Sequence, residues 1–126
     1  MASRSSKRTH RLLSGSQFRS VYERGQKLST PFFSAFILRT EGDWQRLGLT
    51  TTRKIGNAVL RNRCRRRLRE IFRLRDRSIL AGVGFDLVLN VRTSTAAADF
   101  KEIEVAFIQM LQRFQRSLDK NLGGGG

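Results

Sequence analysis

The chain has 126 residues, about one domain by the usual prior, and 39% of them are hydrophobic, including 9 Phe, enough for one modest core. It carries 25 Lys+Arg against 10 Asp+Glu, a formal net charge of +15, and 20 of the basic residues are Arg. That balance excludes disorder driven by low hydrophobicity. It points to a polyanionic partner, nucleic acid ahead of an anionic membrane, because the planar Arg fork suits phosphates and stacks on bases.

Residues 1–10 read as a flexible basic arm, and residues 11–120 as the folded domain. The stretch MASRSSKRTHRLL lacks the apolar core of a secretory signal. The single histidine, His10, lies in this arm, far in sequence from an acid partner, so a Ser-His-Asp triad is not expected. Ser14 and Ser16 offer N-caps for a helix through Phe18, Val21 and Tyr22, which Gly25 stops. Leu28–Leu38 is rich in Phe and β-compatible residues, and Pro31 restricts a strand there to its start or to an edge. After a turn at Glu41-Gly42-Asp43, Arg46–Thr52 alternates as a strand, and the two runs read as a hairpin.

Asn57 is a natural N-cap for a helix over about Ala58–Arg77, whose apolar stripe is Val59, Leu60, Cys64, Leu68, Ile71 and Phe72. Cys64, the only cysteine, excludes an intrachain disulfide and a Cys-based zinc cluster, and it reads as a small core residue. Gly82 and Gly84 break the chain before a strand at Phe85–Val91. A last helix over about Asp99–Leu118 lines up Phe100, Ile103, Phe107, Met110, Leu111 and Phe114. Residues 121–126 read as a flexible Gly tail. The order α-β-β-α-β-α, with room for one extra strand, describes an α+β domain with helices packed on a small mixed sheet. No stretch approaches the roughly 20 apolar residues of a membrane span, and a reduced, cytoplasmic setting is expected.

The charge is unevenly placed. Arg53–Arg77 holds 11 basic residues against Glu70 and Asp76, a net +9. On a helix Arg61, Arg65 and Arg69 align four apart, with Arg63, Arg66, Arg67 and Arg73 on flanking faces. Stacked like charges destabilise a bare helix by some tenths of a kcal/mol per pair, so this pattern makes sense with a phosphate chain between them. A merely solvated face would carry interspersed acids, and a membrane-surface helix a bulkier apolar side.

The run Lys54-Ile55-Gly56-Asn57-Ala58-Val59-Leu60-Arg61-Asn62-Arg63-Cys64-Arg65-Arg66-Arg67-Leu68-Arg69-Glu70 closely resembles the signature of the bacterial ribonuclease P protein component family. Leu12, Phe18, Tyr22 and Gly25, the aromatic strand with Phe33 and Phe36, Arg46–Leu49, and Asp86, Val88 and Arg92 agree in order, over about residues 8–118. The resemblance implies a protein subunit that binds a catalytic RNA and the 5′ leader of precursor tRNA. It assists Mg2+-dependent endonucleolytic removal of that leader, with the chemistry in the RNA, no catalytic residue in the protein and its metal ligands unknown. It implies a catalytic-RNA face at Arg61, Asn62, Arg63, Arg65, Arg66 and Arg69. It also implies a leader cleft at Phe18, Tyr22 and Phe36 with Arg53, Lys54 and Arg92 as phosphate contacts. Phe18 and Phe36 fit an ordinary core position equally well, whereas the Tyr22 hydroxyl favours a wet edge.

The family also implies a left-handed β-α-β crossover, against the right-handed rule obeyed in about 98% of cases. Two departures are mild: Arg stands for the commoner Lys at positions 53 and 65, and Cys64 occupies a usually aliphatic place. No membrane and no obligatory protein partner is expected. The alternative from another class is a stand-alone RNA-binding module, a ribosomal protein or RNA chaperone with no role in cleavage. A self-sufficient metal nuclease would need close carboxylates, yet Glu70, Asp76, Asp86 and Asp99 are scattered. A helix-turn-helix is weaker still, with one strongly basic helix flanked by strands.

Overall fold

A computed structural model describes residues 14–125. The basic arm with His10, the Leu12 position and Gly126 lie outside the described residues. Helix α1 spans Gly15–Arg24. Ser14 Oγ accepts the Gln17 amide at 3.2 Å while Gln17 Oε1 accepts the Ser14 amide at 3.1 Å, a reciprocal cap for two otherwise orphaned donors.

The aromatic run after Gly25 is two strands, β1 (Gln26–Ser29) and β2 (Phe33–Arg39), paired antiparallel. Pro31 has no N–H to donate, and Thr30 Oγ1 takes the amides of Phe32 and Phe33 at 3.1 and 3.0 Å, which closes a turn in the middle of the run. Then follow β3 (Gln45–Thr50), a 3-10 turn (Arg53–Ile55), α2 (Ala58–Arg73), β4 (Phe85–Val91), the helical turn α3 (Ser94–Ala97) and α4 (Phe100–Gly125).

Among the described residues the sheet runs β1-β2-β4-β3, with β4 antiparallel to β2 and parallel to β3. The expected hairpin between the second and third runs therefore does not form, because β4 lies between them. Its sequence gives the reason. Phe85 through Leu89 are all buried, and a strand covered on both faces belongs in the centre of a sheet. Helix α2 stops at Arg73 instead of Arg77: Leu74 leaves helical geometry at φ −93° and ψ 3°. Asp76 Oδ1 then accepts the Ser78 amide and hydroxyl at 2.9 and 2.7 Å, a local turn that competes with the helix. Helix α4 passes Leu118, the end set by its apolar stripe, and runs to Gly125.

Leu28, Ala35, Ile37, Leu47, Leu87 and Leu89 form one face of the sheet and pack beneath the stripes of α2 and α4. Phe107 sits in that core with ring centroids 6.4 Å from both Phe33 and Phe72. Among the described residues the other face is crossed by α1 alone, where Val21 meets Val88 and Phe18, Phe36 and Leu38 pack around them. A side chain at Gly25 would lie 2.5 Å from the Val21 carbonyl oxygen and 2.9 Å from that of Ile37, so only glycine lets α1 turn directly into the sheet.

Candidate RNA-binding surface

Strand alternation assembles the face under α1. The register sets Ser34 opposite Asn90 and Asn90 opposite Thr50, with Phe36, Val88 and Gly48 as the next row on the same side. Tyr22 Oη donates to Asn90 Oδ1 at 2.7 Å, and Thr50 Oγ1 donates to the same oxygen at 2.6 Å. Both lengths are those of O–H···O bonds, which fixes the amide. The Asn90 NH2 group makes no hydrogen bond among the described residues. The Tyr22 ring meets Phe36 edge-on, centroids 4.9 Å apart at 82°, and Lys27 Nζ lies 5.7 Å from the Phe36 centroid, within cation–π range. Exposed Arg92 donates through Nη2 to Ser34 Oγ at 3.1 Å.

Because β3 and β4 run parallel, the chain leaving each emerges at the same end of the sheet. Arg53 and Lys54 are exposed there, beyond Thr50, and their side chains make no hydrogen bond or ion pair among the described residues. Tyr22 and Arg92 thus converge on the Ser34–Asn90–Thr50 row, with Phe36 beside it in the next. Phe18 packs beside Val21 and Val88 and supports that row from under α1. Sequence reasoning missed Asn90, Thr50, Ser34 and Lys27. The available signal was a polar residue interrupting an apolar strand, but only the register shows that three of these share a row.

Helix α2 begins at Asn57, whose side chain accepts the Leu60 amide at 3.0 Å. Arg61 Nη1 donates to the Gly56 carbonyl at 2.6 Å. Arg65 donates to Thr51 Oγ1 at 2.5 Å and to Asn62 Oδ1. Arg63 and Arg66 are exposed, with no hydrogen bond or ion pair among the described residues, and Arg69 is exposed on the same helix. The Arg65–Thr51 bond joins α2 to the strand end beside Thr50. The basic helix is thus tied by a side-chain hydrogen bond to the end of the strand that carries Thr50.

The segment's +9 does not all face outward. Arg73 pairs with Glu70 at 2.7 Å, and its hydrogen bond draws the Glu70 carboxyl below the usual carboxylate range. Arg67 Nη1 reaches the carbonyls of Thr95 and Ala98 at 3.1 and 2.8 Å. Arg75 is buried: it donates to Gln45 Oε1 through Nε and Nη2 at 3.1 and 2.6 Å and to the Phe72 carbonyl at 2.5 Å, and it stacks 3.8 Å from the Phe72 ring centroid. Burial, helped by the nearby Arg77 charge, pushes its guanidinium down to about 10, still charged at neutral pH. Burial likewise pushes the Cys64 thiol up.

Among the described residues no group of three or more His, Cys, Asp or Glu side chains is placed to hold a metal ion, and no helix is long and apolar enough to cross a membrane. On the row face Asp86 is held bidentate by Arg46, Nε–Oδ1 at 2.8 Å and Nη2–Oδ2 at 2.7 Å.

The chain resembles known proteins over most of its length. It is 34% identical over 112 residues to the ribonuclease P protein component of Clostridioides difficile, covering 88% of this chain and 96% of that one. The same component of Natranaerobius thermophilus is 33% identical over 106 residues, 84% and 90% of the two chains. Among solved structures, the RNase P protein of Thermotoga maritima superposes with a TM-score of 0.72 at 30% identity, covering 82% of this chain and 96% of that one. The Staphylococcus aureus RNase P protein gives 0.71 at 26% identity, covering 82% and 93%. The family model for ribonuclease P matches residues 6–115, so the basic helix, the mixed sheet and the row beneath α1 all lie inside the match, and the chain belongs to the bacterial ribonuclease P protein component family.

Proposed function

We propose that the chain binds a catalytic RNA through α2 and the single-stranded 5′ leader of precursor tRNA across the row beneath α1, and so assists removal of that leader. The observation that carries this reading is the Arg65–Thr51 bond, which ties the basic helix to the strand that places Thr50 in the row. Exposed Arg63 and Arg66 lie on the helix that Arg65 ties to the strand end beside Thr50, and Tyr22, Phe36 and Arg92 lie on the open face of the same sheet. Aromatic edges beside cations suit a single strand, since bases stack without sequence readout at about 1–3 kcal/mol each. Guanidinium groups on a helix suit the phosphates of a folded RNA.

Among the described residues no three His, Cys, Asp or Glu side chains converge on a site for the expected Mg2+. The chemistry is assigned to the RNA–protein assembly, and this chain binds and orients. The test is cleavage of precursor tRNA at low magnesium by the cognate catalytic RNA, with and without the protein. Stimulation by the protein is the expected result. Lack of stimulation, with RNA binding intact, supports a stand-alone RNA-binding module instead. Cleavage by the protein alone supports a nuclease.

A further inference from the structure

Arg67 is the arginine of the basic helix whose guanidinium turns from solvent towards α3. Its Nη1 donates to the carbonyls of Thr95 and Ala98, at the end of α3, where a helical turn leaves carbonyls without intrahelical partners. That turn begins immediately after Arg92. The Thr95 amide donates to the Arg92 carbonyl at 3.1 Å, and the Arg92 amide to the Phe32 carbonyl at 2.9 Å. Thr95, fully buried, donates through Oγ1 to the same Phe32 carbonyl at 2.6 Å, and Ser94 Oγ donates to the Pro31 carbonyl at 2.7 Å. The segment carrying Arg92 is therefore held on two sides, by the β1–β2 turn on one and by Arg67 of α2 on the other.

We infer that Arg67 is a positioning residue: it holds the α3 turn so that Arg92 projects over the Ser34–Asn90 row, and it links the RNA-docking helix to the leader-binding row. The inference rests on the proposed leader-binding reading. Two details of the geometry favour positioning over phosphate contact. The guanidinium is half-buried, and its hydrogen bonds go to main-chain carbonyls 28 and 31 residues away in sequence. Arg63, one turn earlier, is exposed and points its charge to solvent. A cation on two carbonyls at the end of a turn also complements the partial negative charge there.

The test uses the assembled RNA–protein complex with wild type, Arg67→Ala, Arg67→Lys, Arg92→Ala and the Arg67→Ala/Arg92→Ala double variant. Affinities are measured for leader-bearing precursor tRNA, for mature tRNA and, at several salt concentrations, for the catalytic RNA. Arg67→Ala is expected to weaken precursor binding about tenfold, the scale of losing one hydrogen bond to a charged group, with mature tRNA, catalytic-RNA affinity and its salt slope unchanged. Arg67→Lys, which keeps the charge but lacks the fork, recovers part of the loss. It also carries the comparison if the alanine variant does not fold. On the Arg92→Ala background, removing Arg67 adds nothing.

Weaker, less salt-dependent binding of the catalytic RNA by Arg67→Ala would make Arg67 a phosphate ligand and overturn the proposal. Equal losses for precursor and mature tRNA, or additive losses in the double variant, overturn it as well. If Arg92→Ala is itself without effect on precursor binding, the leader-binding reading fails and takes this proposal with it. If Arg92→Ala is deleterious and Arg67→Ala is not, the positioning role alone fails.

Discussion

The two faces of the one sheet are built from alternate residues of the same strands, yet they do different work. One face is closed by α2 and α4 with mostly apolar side chains, and in its centre Phe107 meets Phe72 edge to face and Phe33 at a tilt. The other is crossed only by the ten residues of α1, anchored by Val21 on Val88, and beside that contact it keeps hydroxyl, amide and guanidinium groups in a row. A sheet closed on both sides would be more stable and would have nowhere to lay a nucleic acid strand. Here burial is concentrated on one side, which leaves the opposite face free to stay polar and partly open.

The largest effect expected from testing that division is on the closed face. Phe107→Ala removes a fully buried ring and is expected to cost about 3–5 kcal/mol of unfolding free energy, read by urea denaturation. A loss well under that would mean the core face tolerates collapse and the division is not one of stability. On the open face, Phe36→Ala is expected to weaken leader-bearing precursor by about 1–3 kcal/mol and to spare mature tRNA, in equilibrium binding. Equal weakening of both would return Phe36 to the core beneath α1. Tyr22→Phe keeps the ring against Phe36 and removes only the hydroxyl that Asn90 accepts. A stability loss of about 0.5–1.5 kcal/mol is expected, and a wild-type denaturation curve would show that the row is not preorganised. The smallest effect is at Arg66→Ala, where the protein's stability should not move. The log–log salt slope for catalytic-RNA binding should fall by about 0.7–0.9, and an unchanged slope would remove Arg66 from the interface.

Local chemistry made much of this legible. Ser14, Gly25 and Asn57 mark their caps because the signals are short-range, and the apolar stripes of α2 and α4 follow from period alone. Strand order was not legible by the same route. Phe33–Arg39 and Gln45–Thr50 are neighbours in sequence, and nothing between them says that Phe85–Val91 will come back to separate them. Only the two-sided burial of β4 demands it. The same limit applies to the surface. The aromatic members Tyr22 and Phe36 were legible only through the family resemblance, Asn90 and Thr50 joined them through register, and Arg67 and Arg75 counted as outward charge until tertiary partners turned them inward.

The central place of β4 also sets an order in time. As the chain lengthens, β1 and β2 can pair, but β2 and β3 each wait with an unsatisfied edge until residues 85–91 arrive between them. Such late insertion requires closure of a long loop before any ladder bond rewards it, which slows folding and leaves strand edges open to other chains. The segment that must emerge in the interval is α2, the most highly charged stretch of the molecule, and mutual repulsion between copies keeps half-made sheets apart.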